Sequence, residues 1–378
     1  MAIARYYRPE LDALRFCAFL FVFLTHRMDL APIDPAVYYW GYQISLVGVF
    51  GVPLFFFLSA FLITELLTKE EEALGKINIR SFYVRRILRI WPLYFSFFFG
   101  MVLLTHLSDK FGRIPGKAQA AFSLFSGNWY ITFHEWLSAY CVNPLWSVSV
   151  EEQLYILLPL IAAYSGRRGL KIFSFVSLVV AYLCILSYAR HPTKGFSGEW
   201  TNSFVQFQFF AAGILMSVYG KRWQPGWSVG TRLLVFLLGV GCWLTASLFC
   251  HIHADAPHLS TIPEAVTGWA LILMGVMLIF LSFYGLSDRW IPPVMIYLGR
   301  ISYGLYVFHI TMFYLAYVIF AKELTRFSAW VGLAGWRNML GFGMAFLASV
   351  AVAAVSFACF ERPFLRWKKR FTHVPSRD

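Results

Sequence analysis

The chain has 378 residues, of which 59% are apolar, 19% aromatic and only 13% charged; 32 Lys and Arg against 19 Asp and Glu give a formal net charge of +13. A soluble domain carries about 25% charged residues, so this chain cannot clothe a water-soluble surface, and the same figures exclude a disordered chain or a small secreted disulfide scaffold. The six cysteines show no CxxC-type spacing and mostly sit inside apolar runs, which predicts neither a disulfide framework nor a cysteine metal site.

A helix needs about 20 mainly apolar residues to cross a bilayer. Ten runs meet that need: 11–30, 44–67, 87–107, 145–164, 170–189, 204–220, 233–250, 264–284, 296–320 and 339–360. The expected fold class is therefore all-α: a polytopic integral membrane helix bundle of about ten transmembrane helices, in one domain over 1–378. Within the first run the apolar stretch Phe16 to Leu24 is preceded by Asp12 and Arg15 and lacks a small-residue cleavage site, so it reads as a retained span rather than a signal peptide. The stretch 120–140 contains Gly127, Asn128, His134 and Glu135 and reads as an interfacial or re-entrant piece. Ten spans put both termini on one side. With the N-terminus in the cytoplasm, 23 Lys and Arg fall on cytoplasmic segments and nine on outer ones, which predicts that both termini are cytoplasmic. Membrane topology thus accounts for the basic balance without a nucleic-acid partner.

Ionisable residues within spans are functional candidates. In the first span, Arg15 and His26 are eleven residues apart, about 20° past three full turns, and so share a face some 16 Å apart along the axis. Asp12 lies one turn below Arg15. The structural alternative has Asp12 and Arg15 snorkelling to headgroups while His26 caps the outer end. Next come Arg80, Arg85, Arg86 and Arg89. Like charges at i,i+3 and i,i+4 repel, and an anion relieves the repulsion; guanidinium forks suit phosphate oxygens. A positive-inside lipid anchor is the alternative. The third cluster runs from Asn143 to Tyr155. Ser147 can cap a helix and Glu151 follows four residues later on the same face, with Glu152 adjacent; either carboxylate could favour a helix start or could pair with an arginine or orient a histidine. In the ninth span Ser302, Tyr306 and His309 follow i, i+4, i+7 on one face. Two features are discounted: His251, His253, Asp255 and His258 as a metal site, and Ser59 as a nucleophile, since no base is near it in sequence.

Five stretches in this order carry a resemblance. They are Pro9-Glu-Leu-Asp-Ala-Leu-Arg15 followed by His26; Gly51-Val-Pro-Leu-Phe-Phe-Phe-Leu-Ser-Ala-Phe-Leu-Ile-Thr64; Phe82-Tyr-Val-Arg-Arg-Ile-Leu-Arg-Ile-Trp-Pro92; Trp146-Ser-Val-Ser-Val-Glu-Glu-Gln-Leu-Tyr155; and Ile301-Ser-Tyr-Gly-Leu-Tyr-Val-Phe-His309. The chain resembles membrane-bound acyltransferase family 3, the bacterial O-acyltransferases of surface glycans. Ala13, Pro53 and Ala60 depart from the family's usual residues. The resemblance implies a bundle of about ten spans in the bacterial cytoplasmic (inner) membrane. Its donor would be cytoplasmic acetyl-CoA or another acyl-CoA, with no metal. Its acceptor would be a hydroxyl of a glycan, a lipid-linked glycan or another small molecule, met in contact with membrane lipids. The family's arginine-to-histidine motif falls on Arg15 and His26, its Arg-x-x-Arg motif on Arg86 and Arg89, and its acidic position on Glu151 or Glu152. Many relatives carry a C-terminal hydrolase-like extracytoplasmic domain, and here the chain ends eighteen residues after Phe360, so that domain is expected to be absent.

Acyl transfer to a hydroxyl needs a base, oxyanion stabilisation and a held donor. His26 is the expected base, because an unperturbed imidazole titrates near about pH 6.5. Glu151 or Asp12 would orient it, and Arg15 would stabilise developing charge or hold the donor. Arg86, Arg89 and Arg85 would grip the CoA phosphates. Trp146, Ser147, Glu152, Tyr303, Tyr306 and His309 would support the site or meet substrate. Transfer could be direct or pass through an acyl-enzyme on His26 or a serine. Trp129, Trp136, Tyr140 and Trp200 could stack on sugars or form an interface belt. The competing class is a secondary transporter or flippase with an Arg15–His26–Glu151 proton relay, although matching broken spans in two halves are not seen in the sequence.

Overall fold

A computed structural model describes residues 6–26, 45–193, 198–220, 224–254 and 261–374. The protein is an all-α polytopic membrane helix bundle. Its principal helices are α1 (Pro9–Thr25), α2 (Gly51–Leu74), α3 (Ile79–Leu107), α4 (Leu145–Arg190), α5 (Ser203–Tyr219), α6 (Val229–Leu248), α7 (Ile262–Phe283), α8 (Ser302–Tyr314) and α9 (Arg337–Val355). Among the described residues, seven helical runs are long and apolar enough to cross a membrane, and α5 is a shorter apolar helix. Within α4, Gly166 takes φ 52° and ψ −150°, a conformation that only glycine adopts cheaply. It divides the helix into the two runs expected at 145–164 and 170–189. The stretch 120–140 forms parts of two eight-residue helices, Gly116–Ser123 and Gly127–His134, each too short to cross.

The bundle turns apolar side chains outward as well as inward. On α6, Leu233, Leu234, Leu237 and Leu238 are all more than half exposed, as are Ile172, Phe175 and Leu183 on the second arm of α4. Water would penalise such faces, whereas lipid solvates them at no cost. Inside, helices approach closely through small residues: a side chain on Gly275 of α7 would meet the backbone of Gly239 on α6 and the ring of Trp243. Some interior polar groups are fully paired. Buried Arg232 donates to the carbonyls of Pro225, Ser282 and Tyr284 at 2.6–3.0 Å, tying the start of α6 to the end of α7.

Two features set the position of α1. The short helix Pro293–Arg300 lies against its first turns, with Gly299 so close to the Asp12 carbonyl that no Cβ fits between them. The far end of α1 buries Phe19 and Phe23 against α8 and α9, where Phe23 packs on Phe313, Phe342 and Phe346.

Candidate active site

A cavity of about 1180 Å³, its open mouth included, runs into the bundle from the end where α1 and α3 begin. Helical spacing explains which side chains line it. Arg8 caps the start of α1, which supplies Asp12 and Arg15; α2 supplies Ser59; α3 supplies Arg86 and Arg89; α4 supplies Ser147, Glu151 and Tyr155 on a single i, i+4, i+8 stripe; α8 supplies Ser302, Tyr303 and Tyr306.

The polar groups form three layers along the cavity. Near its mouth Arg15 pairs with Asp12 at 3.7 Å. The Arg86 guanidinium lies over the rings of Tyr155 (5.4 Å) and Phe82 (5.6 Å). Among the described residues, neither Arg86 nor Arg89 belongs to an ion pair, and Arg86 Nε is buried without a hydrogen-bond partner. In the middle, Ser59 donates to Glu151 Oε1 at 2.6 Å and Tyr155 donates to Ser59 Oγ at 3.3 Å. At the inner end the hydroxyls of Ser147 and Tyr306 meet at 2.8 Å, with the Pro144 carbonyl accepting from Tyr306 at 3.2 Å.

Beyond Tyr306 the site changes character. The His309 ring lies 5.4 Å from that of Tyr306 and 5.0 Å from that of His26. His309 is fully buried. His26, at the C-terminal end of α1, is walled by Phe313.

Several expected neighbours are elsewhere. Neither Asp12 nor Glu151 orients His26: Asp12 is held by Arg15, fourteen residues and about 21 Å of helix away from the histidine, and Glu151 is held by Ser59. The residue beside His26 is His309. Arg85 points away from the main cavity. It binds Glu70 and the Phe371 carbonyl, each at 2.7 Å, in a smaller adjoining cavity that Arg86 and Arg89 also line. Glu152 accepts from Trp91 Nε1 at 3.1 Å rather than facing the cavity. Trp146 packs against Phe56 and Trp200 in the core. Trp200 is likewise buried, against Trp146 and Trp269, so it presents no face to a sugar. Tyr303 lines the cavity and donates to the Ile90 carbonyl at 3.0 Å. Among the described residues no group of three His, Cys, Asp or Glu is placed to hold a metal; Asp255 and His258 lie outside the described residues.

Sequence reasoning set Ser59 aside because no base lies near it in the chain, yet Glu151, 92 positions on, is its direct partner. It also passed over Gln153, which accepts from Ser203 at 2.6 Å and donates to Asn128 Oδ1 at 2.9 Å, joining α4, α5 and the helix Gly127–His134. An amide two residues after Glu151, at the head of the apolar run that follows it, was the available signal.

Fold and cavity together define a polytopic membrane protein with an arginine-rich cleft lined as far as Tyr306, against which His309 packs; neither His26 nor His309 is among the lining residues. The chain belongs to the family described as the acyltransferase domain, which matches residues 8–358. It is 26% identical over 343 residues to a Staphylococcus aureus protein provisionally named an O-acetyltransferase, covering 80% of this chain and 50% of that protein. It is 24% identical over 381 residues to the peptidoglycan O-acetyltransferase OatA of Listeria monocytogenes, covering 95% of this chain and 56% of that one. The chain thus spans about half the length of these relatives. No solved structure matches it.

Proposed function

We propose that this chain is an integral membrane O-acyltransferase that takes an acyl group, acetyl in the first instance, from acyl-CoA and passes it to a hydroxyl of a glycan or glycan-lipid. In this reading ten spans cross the bacterial cytoplasmic membrane with both termini inside, so the cavity mouth faces the cytoplasmic donor. The observation that carries the proposal is the pair Arg86 and Arg89: two guanidinium groups on the wall of a deep cavity, neither committed to an ion pair among the described residues. Unpaired cations inside a bundle are costly, and a phosphate-bearing ligand repays that cost.

The CoA phosphates would sit at Arg86 and Arg89, and the pantetheine arm would follow the cavity past Glu151 and Ser59 toward Tyr306. His26 would take the proton of the acceptor hydroxyl as its oxygen attacks the thioester carbonyl. The carbon–sulfur bond then breaks, and the thiolate leaves with that proton. Arg15, paired with Asp12, would counter negative charge on the donor.

The test is acetyl-CoA binding and CoA release by the detergent-solubilised protein, with His26→Ala beside the wild type. The expected result is that both proteins bind CoA and only the wild type releases it when an acceptor is supplied. Retained release in His26→Ala would refute the base, and absence of CoA binding in the wild type would favour a transporter.

A further inference from the structure

The His26–His309 pair carries more than proximity. His309 Nδ1 lies 2.6 Å from the backbone carbonyl of Tyr306. A carbonyl only accepts, so Nδ1 carries the ring hydrogen. In the neutral imidazole Nε2 is then a bare lone pair. That atom is buried, and among the described residues it has no hydrogen-bond partner. The imidazole of His26 packs against this ring, with centroids 5.0 Å and planes 49° apart. At that separation two rings turned edge to edge bring their nitrogens to hydrogen-bond distance. Catalytic hydrogen bonds are often loose before substrate is present and tighten afterwards.

We propose that His309 is the positioning residue for His26: its Nε2 accepts the ring N–H of His26, which leaves the other nitrogen of His26 bare and directed at the acceptor hydroxyl. The inference rests on the reading of His26 as the base and adds what fixes its tautomer. A buried carboxylate commonly plays this part for a catalytic histidine. Here neither Asp12 nor Glu151 can, since each is held elsewhere. Among the described residues, the titratable side chains whose rings contact the pair are the two histidines themselves and Tyr306, and the other rings against it are Phe19 of α1 and Phe313 of α8. A neutral acceptor suits that setting, because an ionised carboxylate among phenylalanines would be far costlier.

During transfer His309 neither gains nor loses a proton. The hydroxyl proton moves to the bare nitrogen of His26, the hydroxyl oxygen bonds to the acyl carbon, and the thiolate departs with the carbon–sulfur electron pair and then takes that proton. With both His26 nitrogens briefly protonated, the Nε2 lone pair of His309 remains an acceptor for the positive ring.

Two substitutions separate positioning from packing. His309→Gln can place an amide oxygen where Nε2 sits, whereas His309→Asn reaches only the Nδ1 position. The full chain in detergent, with His309→Gln, His309→Asn, His309→Ala and His26→Ala, is read in two ways. The first needs no acceptor: the nitrogen-15 chemical shifts of the His26 ring in histidine-labelled protein, assigned by difference against His26→Ala, which tell a protonated ring nitrogen from a bare one. His309→Gln is expected to keep the single wild-type tautomer of His26, and His309→Asn and His309→Ala to average the two. The second is CoA release from acetyl-CoA with an N-acetylglucosamine tetrasaccharide as acceptor probe. Here Asn and Ala are expected to lower kcat about 100-fold, in the range of general-base effects, with KM for acetyl-CoA within about twofold and substantial rescue by Gln. Equal behaviour of Gln and Asn, or the single wild-type tautomer of His26 retained in His309→Asn, would overturn the positioning role alone. Turnover retained in His26→Ala would instead overturn the base and the inference with it.

Discussion

Arg85, Arg86 and Arg89 lie within one and a half turns of α3, but their surroundings demand different outcomes on substitution. Arg86 and Arg89 face the main cavity and belong to no ion pair among the described residues. Arg85 is committed to Glu70 and to the Phe371 carbonyl, both at 2.7 Å. A hydrogen bond to a charged group is worth about 1.5–3 kcal/mol when its partner is otherwise unsatisfied. Arg86→Met or Arg89→Met should therefore weaken CoA binding by about 10- to 150-fold. Arg86→Lys should fall between, keeping charge but losing the fork. Arg85→Met should change CoA affinity by less than about threefold, because its donors are already spent, and should instead lower thermal stability by leaving buried Glu70 with the Asn78 N–H but no charge partner. Titration calorimetry with CoA on the solubilised protein, paired with a detergent thermal melt, reads both quantities. An affinity loss in Arg85→Met equal to that in Arg86→Met would refute the division, and unchanged affinity in all three would remove the donor site from this cavity.

Ser59→Ala deletes the 2.6 Å bond to Glu151; hydrogen bonds between membrane helices average about 0.6 kcal/mol and reach about 1.7, so a double-mutant cycle with Glu151→Ala should show coupling of about 1–1.5 kcal/mol in unfolding by SDS in mixed micelles, and coupling near zero would contradict the pairing. Gly299→Ala forces a Cβ into the Asp12 carbonyl; overpacking of this kind costs about 1–3 kcal/mol, and because Asp12 holds Arg15, CoA binding should fall together with the melting temperature, whereas Gly343→Ala, in open space, should change neither. Raising salt from 50 to 500 mM should weaken CoA binding in the wild type and do so less in Arg86→Met, since screening acts on the charge that the variant lacks.

Much of this arrangement was legible before any coordinates. The share of charge excluded water as solvent, and the apolar runs placed helices where helices are found. Helical periodicity assigned Arg15, the Ser147–Glu151 stripe and the Ser302–Tyr306–His309 face to single sides of their helices. One error was also avoidable: fourteen residues of helix separate Asp12 from His26, so rise per residue already ruled Asp12 out as its orienter. The pairings across helices were not legible. Ser59 with Glu151, Arg85 with Glu70 and Phe371, and His26 with His309 are separated by 92, 15, 286 and 283 positions, and no local rule relates them.

Sequence alone determined the solvent, the secondary structure and which face of each helix is polar, because those follow from transfer free energy and from a period of 3.6 residues, both local properties. Tertiary structure alone decided which polar faces meet. That choice depends on how closely two backbones approach, as Gly299 does to Asp12 and Gly275 to Gly239, and on the rotation each helix takes once its bulky rings are packed. Hence Arg86 and Arg89 line the main cavity while Arg85 of the same cluster binds the Phe371 carbonyl, and His26 at the end of α1 is left facing another histidine instead of a carboxylate.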